Sequence, residues 1–140
     1  MILVDSNILM YAAGAPHRYK EESLAFLERV ARGEVDAVLD AEVLQEILHR
    51  YRALGRWESG RAVYDLARRI IPAVLPVTWD TVDAARSLLD AYPRLMARDA
   101  LHVAICQQAN LDGLCSYDRD FDQIRSIKRF EPSRVRPTRL

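Results

Sequence analysis

Four carboxylates in this chain sit where charge is hard to explain by solvation alone: Asp5, Glu46, Asp99 and Asp118. Asp5 closes the apolar run Met1–Val4, which is too short for a buried helix and reads as a strand covered on both faces. Asp118 follows Leu114-Cys115-Ser116 and repeats that arrangement, an acid just beyond the end of a buried strand. Open α/β sheets place their ligands at such carboxyl ends. Asp99 stands in the first turn of the apolar stretch Arg98–Cys106, and its i+4 and i+7 neighbours are Val103 and Cys106, so its side chain enters the interior. The helix macrodipole there favours an anion by roughly 0.3–1 kcal/mol, less than the several kcal/mol that desolvating an unpaired ion costs. Glu46 lies at the margin of an apolar helix face, one turn after Val43.

If the first and fourth strands lie side by side, these four acids meet in one crevice. Like charges that close raise each other's pKa values, and a hard divalent cation relieves the conflict. Oxygen ligands without cysteine or histidine select Mg²⁺ or Mn²⁺ over zinc. Such a centre orients water in line with a phosphodiester and stabilises the departing oxygen, which is hydrolysis of nucleic acid without a protein nucleophile.

Each acid also has an ordinary reading. Asp5 would cap a helix, Glu46 would pair with Arg50 at i+4, and Asp99 would take Arg98 or Arg94 as its cation. Asp120 and Asp122 compete with Asp118 for the fourth place, and loop aspartates commonly cap turns. His102, three residues after Asp99, reads as a hydrogen-bonded core residue; His17 and His49 read as exposed.

The elements that must position these groups alternate. After the first strand, Ser6 and Asn7 cap a short helix that ends at Gly14-Ala15-Pro16-His17. Tyr19–Arg32 is an amphipathic helix with Leu24, Leu27, Val30 and Ala31 on its apolar stripe, and Gly33 stops it. Val35–Leu39 is a strand. Asp40-Ala41 opens a helix to about Leu54, and another runs from Trp57 to about Ile70. Ala73–Val77 is a strand that Pro76 assigns to an edge or an end. Thr78 or Asp80 caps a helix to about Tyr92, Arg98–Ala109 is the next, and Gly113–Ser116 is a strand. Asp118–Ile124 forms a loop or turn, and Ile127–Phe130 is the last strand. This alternation predicts a mostly parallel sheet covered on both faces. The last ten residues, with Arg134, Arg136 and Arg139 among prolines, read as a surface tail.

With 140 residues and no linker or repeat, residues 1–140 read as one globular domain. No apolar run reaches the roughly 20 residues that span a bilayer, so no membrane role and a cytoplasmic location are expected. Cys106 and Cys115 have no metal-ligand spacing and read as reduced core residues. The formal net charge of zero argues against bulk attraction to nucleic acid. Of 20 cationic residues only Lys20 and Lys128 are lysines, a bias that suits bidentate phosphate contacts.

Ile2-Leu3-Val4-Asp5-Ser6-Asn7, Val43-Leu44-Gln45-Glu46-Ile47, Arg98-Asp99-Ala100-Leu101-His102-Val103-Ala104 and Ser116-Tyr117-Asp118-Arg119-Asp120-Phe121 together resemble the ordered acidic motifs of PIN-domain ribonucleases. Each motif is weak alone; four in this order across nearly the whole chain are specific. Length and motif order are most similar to the VapC toxins of toxin–antitoxin pairs. The resemblance implies a three-layer α/β/α sandwich with a five-stranded, mostly parallel sheet and a Mg²⁺- or Mn²⁺-dependent endoribonuclease. It implies metal ligands at Asp5, Asp99 and Asp118, with Glu46 binding metal directly or through water. Asn7 and Ser116 match polar positions that orient the acids or touch the substrate phosphate. It further implies a homodimer restrained by a cognate antitoxin, for which the aromatic residues Tyr51, Trp57 and Tyr64 offer an apolar groove if they are not simply core. Asp40 stands where relatives frequently carry Ser or Thr.

The competing reading is a non-catalytic PIN-like module that binds RNA or a protein partner. A degenerate module would lack one or more acids, and all four are present here. A phosphatase of the haloacid dehalogenase type also begins with an Asp after its first strand but needs a second Asp two residues on, where this chain has Asn7.

Overall fold

A computed structural model describes residues 1–138. Its strands are β1 (Ile2–Val4), β2 (Ala37–Asp40), β3 (Val74–Leu75), β4 (Gly113–Cys115) and β5 (Arg129–Phe130). The helices are α1 (Ser6–Ala13), α2 (Lys20–Ala31), α3 (Ala41–Ala53), α4 (Trp57–Ile70), α5 (Trp79–Ala91) and α6 (Ala97–Gln108). All strand pairs are parallel, in the order β3-β2-β1-β4-β5.

The pleat divides the core. Ile2 and Val4 point to one face and pack with residues of α1, α2, α3 and α4, whereas Leu3, Val38 and Leu114 point to the other and pack against α5 and α6. Helices therefore cover both faces of a parallel sheet, the three-layer sandwich expected. The chain leaves central β1 for β2 and β3 on one side and reaches β4 and β5 on the other. The switch in direction opens a crevice at the carboxyl ends of β1 and β4.

Local differences have local causes. Asp5 itself caps α1, accepting the Ser6 backbone N–H at 2.8 Å, so Ser6 is the first helical residue and not a cap. In α2 the buried stripe is Ser23, Phe26, Leu27 and Val30, and Ala31 is exposed; Ser23 tolerates burial because its hydroxyl donates to the Tyr117 hydroxyl at 3.3 Å. Thr78, not Asp80, caps α5 in a reciprocal pair with Thr81. β3 is an edge strand of only two residues, bounded by Pro72 and Pro76, neither of which can donate a ladder hydrogen bond. Tyr51 is buried against Gly60 where α3 and α4 cross, so it belongs to the core, while Trp57 lies beneath the guanidinium groups of Arg52 and Arg61.

The C-terminal segment is not a free tail. Pro132 and Val135 are buried, Arg29 donates to the Val135 carbonyl at 2.6 Å, and Thr138 bonds Glu34 and Asp36 at the amino end of β2. Arg139, assigned to the same tail, lies outside the described residues.

Candidate active site

The backbone N–H of Asp5 donates to the Cys115 carbonyl at 3.0 Å, which carries the β1–β4 pairing to the last residue before α1 and fixes where this carboxylate emerges. Ser116, the first residue past β4, donates its hydroxyl to Asp5 Oδ2 at 2.6 Å. The same oxygen of Ser116 accepts from Asn7 Nδ2 and from the Asp118 backbone N–H, both at 3.0 Å. One hydroxyl thus uses its full hydrogen-bonding capacity to tie the acid of β1 to the loop that carries the acid of β4. Asn7 Nδ2 also approaches Asp5 Oδ2 at 3.4 Å.

Glu46 reaches the same crevice from α3. Ser6 donates its hydroxyl to Oε2 at 2.7 Å, and His102 Nε2 faces Oε1 at 2.5 Å. The other ring nitrogen of His102 faces Asp40 Oδ2 at 2.6 Å, while Asp40 Oδ1 caps α3 by accepting from Val43 N at 2.8 Å. Both carboxylates can only accept, so both ring nitrogens donate and His102 is an imidazolium. Burial acts to lower its pKa, but the hydrogen bonds to Asp40 and Glu46 outweigh burial and hold it well above the ordinary value. Burial likewise pushes Glu46 up, and the bond to His102, its charge, the Ser6 hydroxyl and the charge of Arg98 together outweigh that and bring it below the usual range. Asp5, 5 % exposed, is raised, first by burial.

Asp99 is half-buried at the start of α6, and its pKa is pushed up to about 7, first by burial and then by the negative charges of Asp118 and Asp5. Neither Arg94 nor Arg98 forms an ion pair with it among the described residues, nor does Arg50 with Glu46. Asp118 caps the 3-10 turn Arg119–Gln123. Of the two competing acids, Asp122 pairs with Arg129 at 2.8 and 3.2 Å, whereas Asp120 offers an oxygen within 4.8 Å of oxygens from Asp99 and Asp118. A second group of ligand atoms within the same span is Asp5, Glu46 and His102.

All four sequence-selected acids line one cavity of about 500 Å³, together with Asn7 and with Arg50 and Arg98. Ser116 lies behind it, buried against Asp5. The Asp40–His102 pair was not assembled by sequence reasoning. His102 reads correctly as a hydrogen-bonded core residue, but its partners lie 62 and 56 positions away. The one available signal was Asp40 itself, an acid at the end of a buried strand like Asp5 and Asp118.

The donor set suits a hard divalent cation. It is rich in carboxylate oxygens, the imidazole of His102 is occupied on both nitrogens, and Asp99 is short of positive charge. The buried Asn7 Oδ1 has no hydrogen-bond partner among the described residues and offers a further acceptor to a hydrated ion or a substrate.

A PIN-domain family model matches residues 2–127. The ribonuclease VapC13 of Mycobacterium tuberculosis is 45% identical over 129 residues, covering 92% of this chain and 98% of the relative. Among solved structures, M. tuberculosis VapC20, described as a toxin that cleaves the sarcin–ricin loop, aligns with a TM-score of 0.73 at 18% identity over 98% of this chain and 100% of that one. VapBC2 of Rickettsia felis, solved on a DNA fragment from its promoter, aligns at 0.72 with 16% identity, covering 94% and 98%.

Proposed function

The chain belongs to the PIN-domain family, within it to the VapC ribonucleases, and on that footing we propose that it is a Mg²⁺- or Mn²⁺-dependent endoribonuclease, the toxin of a toxin–antitoxin pair. One observation carries the reading: acids from four separate elements, Asp5, Glu46, Asp99 and Asp118, line a single pocket in which one of them cannot ionise fully at neutral pH without help.

Asp5, Asp99 and Asp118 would hold the metal. When bound, a hard divalent cation supplies Lewis acidity, polarising the phosphoryl oxygen and favouring ionisation of water. Asp5 is pre-aimed by Ser116 and by the Ser6 amide. Asp99, raised first by burial and then by the charges of Asp118 and Asp5, would be the ligand whose ionised form a cation favours most. Glu46 has one oxygen on His102 and one on Ser6, so it supports the centre from behind, through water. Arg50 and Arg98 at the pocket wall meet RNA phosphates, Asn7 faces the scissile phosphate, and Ser116 orients Asp5.

Residues 1–140 act as one nuclease domain on this reading, as a cytoplasmic homodimer restrained by a cognate antitoxin. The likeness to a VapBC assembly supports the antitoxin, and no described helix is long and apolar enough to cross a membrane. The test is cleavage of structured and single-stranded RNA with Mn²⁺, with Asp5→Asn as control. Wild type should cut, and chelator or Asp5→Asn should abolish cutting. Equal cutting by both proteins would expose a contaminant, and RNA binding without cutting would establish the non-catalytic module instead.

A further inference from the structure

Beside the carboxylate pocket lies a group of rings that the chemistry above does not use. Tyr11 lines the pocket, one helical turn after Asn7 on the same face of α1. Its ring carries His17 stacked at 4.5 Å between centroids with planes 26° apart. His17 is exposed, yet its ring is held: Nδ1 accepts the backbone N–H of Tyr19 at 3.2 Å. The loop beneath is tied down as well. Tyr19 stacks on Tyr117 at 3.8 Å, and Lys20 Nζ holds the Gly14 carbonyl at 2.5 Å. Arg18 lies over the Tyr19 ring at 4.6 Å and keeps its charge at the surface.

An exposed ring immobilised by a stack beneath it and a backbone bond at its edge has the form of a platform for another flat group. Packing does not require this, since the cluster's core member, Tyr117, is already covered by Tyr19. We propose that His17, backed by Tyr11, is a base-stacking platform that receives a nucleobase of single-stranded RNA next to the scissile phosphate. Arg18 compensates the adjoining backbone charge. Such stacking tolerates any base, because every base has a π face. The inference rests on the nuclease reading for what enters the pocket, but stacking itself can be measured without turnover.

The test uses a fluorescein-labelled single-stranded RNA decamer, with binding followed by anisotropy on the full chain carrying Asp5→Asn to prevent cutting. Adding His17→Ala should weaken binding about tenfold, the order of one lost base stack, while His17→Phe should bind within about twofold of the parent. A scan placing one abasic nucleotide along the RNA should find a position where the alanine effect disappears. In parallel, His17→Ala in the otherwise wild-type protein should raise KM for RNA cleavage with little change in kcat. Unchanged affinity in His17→Ala, or an equal loss in His17→Phe, overturns the platform and leaves the rings to a protein partner. If the wild-type protein cuts no RNA but the alanine effect on binding holds, the nuclease reading fails and the platform stands.

Discussion

Metal-free, Asp99 holds its proton far above the ordinary carboxyl range, and the sign of the consequence follows. Its folded pKa of about 7 exceeds the reference value of 3.8, so the folded state binds the proton more tightly and stability falls as pH rises through that window. In chelator, melting of wild type at pH 8 should lie below that at pH 5, and Asp99→Asn should flatten the difference and melt higher at pH 8. Added Mg²⁺ or Mn²⁺ should then stabilise wild type more than the variant. A lower melt for Asp99→Asn with no differential metal effect would make Asp99 a structural residue. His102→Gln leaves the buried Asp40 and Glu46 without their shared cation and should cost about 3–5 kcal/mol in denaturant titrations. A loss under 1 kcal/mol would mean the pair carries little. Asp5 and Asp118 were legible because a strand end is a local pattern, and Asp99 because its i+4 and i+7 neighbours are local. The imidazolium bridge was not, since nothing in the spacing of Asp40, Glu46 and His102 says that three elements bring them together. Asp120 and Asp122 were indistinguishable in sequence for the same reason: the partner that removes Asp122 from the site, Arg129, belongs to the next strand.

Among the elements, α3 and α4 were readable nearly to the residue, because their apolar positions recur with the helical period over three turns. The short strands were less so. β3 and β5 keep two residues each where Ala73–Val77 and Ile127–Phe130 were expected, because at the edges of a sheet pairing on one side only, and prolines around β3, limit the ladder. The close crossing of α3 and α4 is invisible in a one-residue pattern, yet it depends on Gly60, where an added Cβ would lie 2.5 Å from Tyr51 Cβ. Gly60→Ala should therefore lower stability by roughly 1–2 kcal/mol, the overpacking cost exceeding the gain in helix propensity. A variant as stable as wild type would show that the crossing yields.

For the whole molecule, the alternation of strands and helices announced a layered parallel sheet, but not that β1 would lie at its centre with β2 and β4 on either side. That order alone makes the acids meet, and it is decided by long-range pairing. The molecule's zero formal charge has a consequence for RNA. With Arg50 and Arg98 the cations at the pocket, the log–log salt dependence of binding should have a slope of only about 1–2. A slope of about 5 or more would place the main contacts on a basic surface elsewhere. The docked segment Arg134–Thr138 sits with Met1, Asp36 and Asp112 at the amino ends of the strands, across the sheet's length from the carboxylates. Both native thiols are buried, that of Cys106 pushed up to about 12 by burial and the nearby acids Asp40 and Asp5. A cysteine substituted at exposed Arg136 would consequently be the one thiol open to maleimide, and a bead or dye anchored through it would leave the mouth of the pocket facing the solution.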